Sequence, residues 1–266
     1  MLIAIVAGKA APGATTCAWA LGLSWPRPIL LIDADAAGGD MAAGFLAGRI
    51  RVDQGLLSWS AAGRREEGPG AVALLPEHTV ALPEAPNLWF LSGLQNAGQG
   101  MSLDAAAWQR LAGALGYAWP VLQRDAIVDA GRLGSRSCWP VLRSADRVLL
   151  VAGRSLRSIH AASNAASLLR DRFGDLDSVS VLVTGPGPYG AAPIAGQVGT
   201  ALAGELPDDR AAAMVLSDGA LAGPLGLHRS RLLRSARTVA QRLSETGSAT
   251  AAEAYPGMSV HAAGSV

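Results

Sequence analysis

Short runs of consecutive apolar residues alternate along the chain with longer stretches in which apolar positions recur at helical spacing. The apolar runs are Leu2–Ala7, Ile29–Asp33, Leu88–Leu91, Ala126–Asp129, Arg147–Val151, Val179–Thr184 and Leu202–Leu206. Unbroken apolarity of this length marks strands covered on both faces, as in a parallel sheet. Helical periodicity predicts helices over Gly13–Leu23, Met41–Leu46, Gln54–Ala61, Leu103–Leu115, Leu156–Phe173 and Ser230–Leu243. Strand and helix in regular alternation predict an α/β fold, doubly wound on a mainly parallel sheet. Gly63–Gly70 reads as a charged surface loop. From Ser244 the sequence turns small and polar without period, so the expected organisation is one domain over 1–245 and a flexible tail over 246–266.

Composition narrows the function classes. A chain of 266 residues with 50% hydrophobic and 16% charged residues can bury a sizeable core. A formal net charge of +1 lacks the overall basicity of an obligate nucleic-acid binder. Cys17 and Cys138 are far apart and the four histidines are scattered, which argues for reduced thiols and against a metal centre of those ligands. The apolar start is too short for a signal peptide and no run reaches membrane-spanning length. The expected location is therefore cytoplasmic, with any membrane contact peripheral.

The chemistry concentrates just after the first strand, in "GKAAPGATT", Gly8 to Thr16. The nucleotide-binding pattern G-x-x-x-x-G-K-[ST] is met by Gly8, Gly13 and Thr15 and broken by Ala14. Such a loop wraps backbone N–H groups around phosphate oxygens, and the helix that follows adds its positive end. Neither device needs a side chain. Thr15 offers a hydroxyl for Mg²⁺; Ala14 removes the ammonium that reaches the terminal phosphates. By itself the loop reads equally well as a plain turn between strand and helix. Two later features favour the phosphate reading. "LLIDADAAGGD" puts Asp33 and Asp35 at the end of the second strand, where open α/β sheets bind ligands, and "AIVDAGRL" ends a strand in Asp129.

These three elements in this order resemble the ParA/MinD superfamily of deviant Walker A ATPases, whose loop is K-G-G-x-G-K-[ST]-[ST]. Laid on this chain the pattern reads Lys9, Ala10, Ala11, Pro12, Gly13, Ala14, Thr15 and Thr16. Lys9 stands on the signature lysine and no other lysine occurs in the sequence. The likeness runs from Met1 to about Leu243, and "DADAAGGD" with the substituted loop looks most like the CpaE/TadZ, septum-site-determining-like branch. The sequence departs from the family at Ala10 and Ala11, which replace glycines, and at Ala14. A family asparagine that contacts adenine would fall near Thr184.

The resemblance implies a P-loop NTPase of the SIMIBI class that binds ATP with Mg²⁺ and pairs face to face as a homodimer. It implies Gly8 to Thr16 as the nucleotide cradle. Lys9 would reach the partner's phosphates, and Asp35 would orient water in a slow ATPase. Thr15, Asp33 and Asp129 would hold the metal. The implied role is an ATP-dependent positioning or scaffolding factor for a pilus, secretion or division apparatus, placed at a pole or on the inner face of the membrane. Two other readings stay open: a non-hydrolysing pseudo-ATPase interaction module, and a chromosome or plasmid partitioning ATPase. Arg229–Leu243 sets Arg231, Arg234, Arg237 and Arg242 against an apolar stripe. It is read either as a final packing helix or as a contact for anionic lipid or non-specific DNA.

Overall fold

The computed structural model describes all residues except 10–12, 47–49, 52, 220–223 and 255–266. Its eight strands form one sheet in the order β3-β4-β2-β5-β1-β6-β7-β8 among the described residues. They are β1 (Leu2–Ala7), β2 (Ile29–Asp33), β3 (Val80–Leu82), β4 (Ala85–Leu91), β5 (Asp125–Arg132), β6 (Arg147–Gly153), β7 (Val179–Thr184) and β8 (Ala201–Leu206). Neighbours run parallel except β3, which pairs antiparallel with β4.

The apolar runs become strands because both faces are covered. β1 and β2 are buried at every position. Alternate side chains enter two separate cores. One holds Ala4, Val6, Leu30 and Val128 against helices that carry Trp59, Leu111, Ile159 and Ile194. The other holds Ile3, Ile5, Leu31 and Ile127 against Trp19, Leu216 and Leu233. The first helix, Ala14–Ser24, and the last, Arg231–Ala254, pack on each other over this second face. Cys17 and Cys138 are buried and free, and burial pushes both thiols up.

Four expectations are corrected. Met41–Leu46 forms turns rather than a helix. Phe45 donates its N–H to Leu216 O at 3.2 Å, and a Cβ on Gly44 would meet Ser217 O at 2.2 Å, so a neighbouring segment takes the place of helical bonding. The charged loop ends early: Gly68–Ala73 is a helix with Pro69 in its first turn, where the missing N–H costs nothing. The last helix, expected to end at Leu243, continues to Ala254. The remainder of the expected tail, 255–266, lies outside the described residues. Finally, β3 was not expected from the pattern; it is a three-residue edge strand that buries only Leu82.

Candidate functional site

The loop sits where the sheet order turns. β1 delivers Gly8 and Lys9 to the carboxyl edge of the sheet, with β5 on one side and β6 on the other. This is the crevice in which doubly wound sheets bind ligands. Gly8 is required by close packing: a Cβ there would lie 2.3 Å from Ala161 O, in the helix Leu156–Phe173. Gly13 adopts a left-handed φ of 87° and precedes Ala14, the first residue of the first helix. Ala10, Ala11 and Pro12 lie outside the described residues. Lys9 is exposed, Ala14 is buried, and Thr15 and Thr16 are half-buried.

On the β5 side the loop meets carboxylates. Asp33 and Asp129 are register partners on adjacent strands, 1% and 1% exposed. The Thr15 hydroxyl lies beside Asp129 and lowers its proton affinity, and Gly131 donates its N–H to Asp129 Oδ1 at 3.0 Å. Burial nevertheless pushes the Asp129 carboxyl up to about 6. Asp33 is held well above the carboxylate range, first by burial and then by the charge of Asp129. The backbones of Gly39 and Gly93 close over Asp33, since a Cβ on either would fall within 2.6 Å of its Cγ. Asp35, half-buried, accepts Ala37 N–H at 2.8 Å and is raised by burial, while the Ala37 bond and the charge of Arg132 act in the opposite direction. Two buried acids beside a hydroxyl form a hard-oxygen donor set that suits Mg²⁺. Among the described residues no three His, Cys, Asp or Glu side chains enclose a metal by themselves. Such an ion would need phosphate oxygens to complete its shell.

On the β6–β8 side lies a cavity of about 680 Å³, within the range of small-ligand sites. Lys9, Gly13 and Thr16 line its loop end, Arg154 and Arg157 one wall, and Thr184, Pro186 and Leu206 to Asp209 the far end. Asp33, Asp35, Asp129 and Thr15 do not line it; Asp33 and Asp129 sit on the β5 side of β1. Arg154 is committed to the protein: Nε donates to Gly185 O at 3.0 Å, one Nη to Tyr189 O at 2.9 Å, and the other pairs with Glu205. Asp209 caps two helices, accepting from Ala212 N at 3.2 Å and Arg231 N at 2.9 Å.

The structure therefore gathers Gly8, Lys9, Gly13 to Thr16, Asp33, Asp35 and Asp129 around one crevice. Asp40, next to these residues in sequence, is exposed and accepts turn N–H bonds through its carbonyl. Arg154, Arg157, Asp208 and Asp209 escaped the sequence reading. Their position just past β6 and β8 was the available signal, because ligands collect at strand carboxyl ends. The last helix buries Leu232, Leu233, Ala236, Val239, Ala240 and Leu243, and leaves Arg231, Arg234, Arg237 and Arg242 exposed.

No protein-family model matches the chain, and no curated protein matches it in sequence. Solved structures do match. A ParA family ATPase from Chlorobium tepidum TLS aligns with a TM-score of 0.71 at 18% identity, over 90% of this chain and 98% of that one. The fold is that of the MinD and ParA ATPases. MinD in the MinC:MinD cell division complex of Aquifex aeolicus gives 0.70 at 18% identity, over 92% and 95% of the two chains. The septum site-determining protein MinD of Pyrococcus horikoshii OT3, complexed with Mg-ADP, gives 0.71 at 13% identity, over 92% and 96%. Among the described residues no helix is long and apolar enough to cross a membrane.

Proposed function

We propose that the chain is a ParA/MinD-type nucleotide-binding protein that holds Mg·ATP at Gly8–Thr16 and turns it over slowly. The observation that carries this reading is the placement of Thr15, at the helix start, beside the buried Asp33–Asp129 register pair, next to a cavity that Lys9 lines. Thr15, Asp33 and Asp129 would hold Mg²⁺, which neutralises phosphate charge when bound. Backbone N–H groups of the loop would cradle the phosphates, and the cavity toward β8 would take the rest of the nucleotide. Asp35 would position a water. The structure with Mg-ADP named above is a precedent for that ligand on this fold.

Losing the lysine at position 14 removes one charge-assisted contact, which costs about 1.5–3 kcal/mol, roughly ten- to a hundredfold in affinity. Millimolar nucleotide tolerates such a loss, whereas turnover, which depends on stabilising charge in the transition state, suffers more. Lys9, exposed at the crevice rim, would meet a second copy of the chain. We read the protein as a nucleotide-dependent homodimer of the CpaE/TadZ type that positions or scaffolds a pilus, secretion or division apparatus. The exposed arginines of the last helix are where anionic lipid or DNA would be met.

One observation favours the pseudo-ATPase reading. With Asp33 held well above the carboxylate range, the buried acids shed charge without any metal. Titration with Mg·ATP, followed by sedimentation, separates the two. Binding that is lost in Thr15→Ala, with dimerisation lost in Lys9→Ala, supports the nucleotide switch. A protein that ignores Mg·ATP is an interaction module.

A further inference from the structure

The register between β1 and β5 slips by one residue at the edge of the crevice. Ile5 is opposite Asp129, but Ala7 is opposite Arg132, so three steps on β5 answer two on β1. Gly131 absorbs the extra residue with a left-handed φ of 61° and lies against Asp35, whose Cγ would be 2.2 Å from a Cβ there. Bulges of this kind are rare between parallel strands and re-aim the side chain that follows. Here the residue re-aimed is Arg132, locked by the 2.9 Å bond from Leu133 N to Ala7 O.

Arg132 is exposed, and its guanidinium makes no hydrogen bond or ion pair with the described residues. The other cations of the crevice are placed differently. Arg154 is consumed by three acceptors, and Arg157 lines the cavity, which Thr15 and the strand-end aspartates do not. Arg132 stands at the metal end, at the register position opposite Ala7, the residue that leads into the loop.

We infer that Arg132 replaces the missing lysine: the cation that grips the terminal phosphates in the same subunit has moved from position 14 to the bulged end of β5. A guanidinium suits the task because its fork binds phosphate oxygens in pairs. The charge of Arg132 is felt at Asp35, at the same end of the crevice, without an ion pair between them. The inference rests on the nucleotide-binding reading above and assigns it a charge that the loop does not supply.

The test is a set of affinities for Mg·ATP, Mg·ADP and AMP in the unaltered protein, Arg132→Ala, Arg132→Lys, Ala14→Lys and the double variant Ala14→Lys/Arg132→Ala. Arg132→Ala is expected to weaken Mg·ATP by about ten- to a hundredfold, Mg·ADP by less, and AMP not at all. Arg132→Lys should recover part of the loss, and Ala14→Lys should help more in the Arg132→Ala background than alone. Equal Mg·ATP affinity with and without Arg132, or an equal loss for AMP, overturns the inference while leaving the nucleotide site in place. Failure of the unaltered protein to bind any of the three nucleotides sinks both.

Discussion

Asp33 and Asp129 face each other as register partners on β2 and β5, both buried, with the Thr15 hydroxyl beside Asp129. Burial raises the proton affinity of both carboxyls; the charge of Asp129 adds to it at Asp33, and the charges of Asp35 and Asp40 add to it at Asp129. The pair is thus poised for a cation and ill-suited to its own charge, which makes it a cost to the ligand-free fold.

The first prediction concerns pH. Asp129 rises from 3.8 to about 6 on folding, so between those values the native state binds more protons than the unfolded chain. Stability from this group is then fully present below about pH 4 and is lost as pH rises to about 6, by roughly 3 kcal/mol. Asp33 acts with the same sign. Urea unfolding of the ligand-free protein and of Asp129→Asn across pH 4 to 7 measures it. The variant should gain on the native protein as pH rises and should lose Mg·ATP binding. A gap between the two that stays constant with pH refutes the assignment.

The second prediction contrasts two glycines. A methyl group on Gly8 would lie 2.3 Å from Ala161 O, a backbone atom that cannot step aside without moving its helix. Gly8→Ala should therefore destabilise by about 1–3 kcal/mol and displace the loop, seen as a lower melting temperature and weakened nucleotide binding. Gly113 sits exposed in the helix Ala105–Gly116 with open space around its Cα. Gly113→Ala should stabilise by about 0.5–1 kcal/mol. Equal effects of the two would refute the packing argument.

Which parts were legible in the sequence follows the same physics. β1, β2 and β7 match their predicted limits residue for residue, because strands buried on both faces write most of their length in apolar residues. The helix Leu156–Phe173 matches too, with Ser155 as its cap and Gly174 beyond its end. Met41–Leu46 misled because six apolar-rich residues are too few to set a period against tertiary contacts from Leu216. At the site, the loop and the strand-end aspartates were readable as spaced motifs. Arg132 and Arg154 were not. A bulge that turns one side chain, and an arginine spent on three acceptors, are properties of register and proximity that no local spacing encodes.

The third prediction addresses the far end of the sheet. Asp125, at the start of β5 and 2% exposed, accepts from Trp25 Nε1 at 2.8 Å and Arg27 Nε at 2.7 Å. These bonds tie the end of the first helix to the sheet edge opposite the site. Asp125→Ala leaves buried donors unpaired and should cost about 2–4 kcal/mol by denaturant titration. Nucleotide affinity, measured well below the transition, should hold. A change under 1 kcal/mol, on the order of an exposed pair, would contradict the network's importance.

The last prediction separates scaffold from contact among the cavity arginines. Arg154 leaves the end of β6 and bonds Gly185 and Tyr189 on the segment after β7, and Glu205 on β8. It thereby fixes the wall that carries Thr184 and Pro186. Arg154→Ala should let residues 185–190 open more often, by about 1–2 kcal/mol if two hydrogen bonds are lost, seen as faster amide hydrogen exchange there and little change at β1 or β5. Nucleotide affinity should fall for ATP, ADP and AMP alike, since the segment must be re-ordered whichever phosphate chain is present. Arg154→Lys should not rescue it, because one ammonium cannot span three acceptors on two segments. A loss graded by phosphate number would instead mean that Arg154 meets the phosphates itself, and its present bonds would be a resting state.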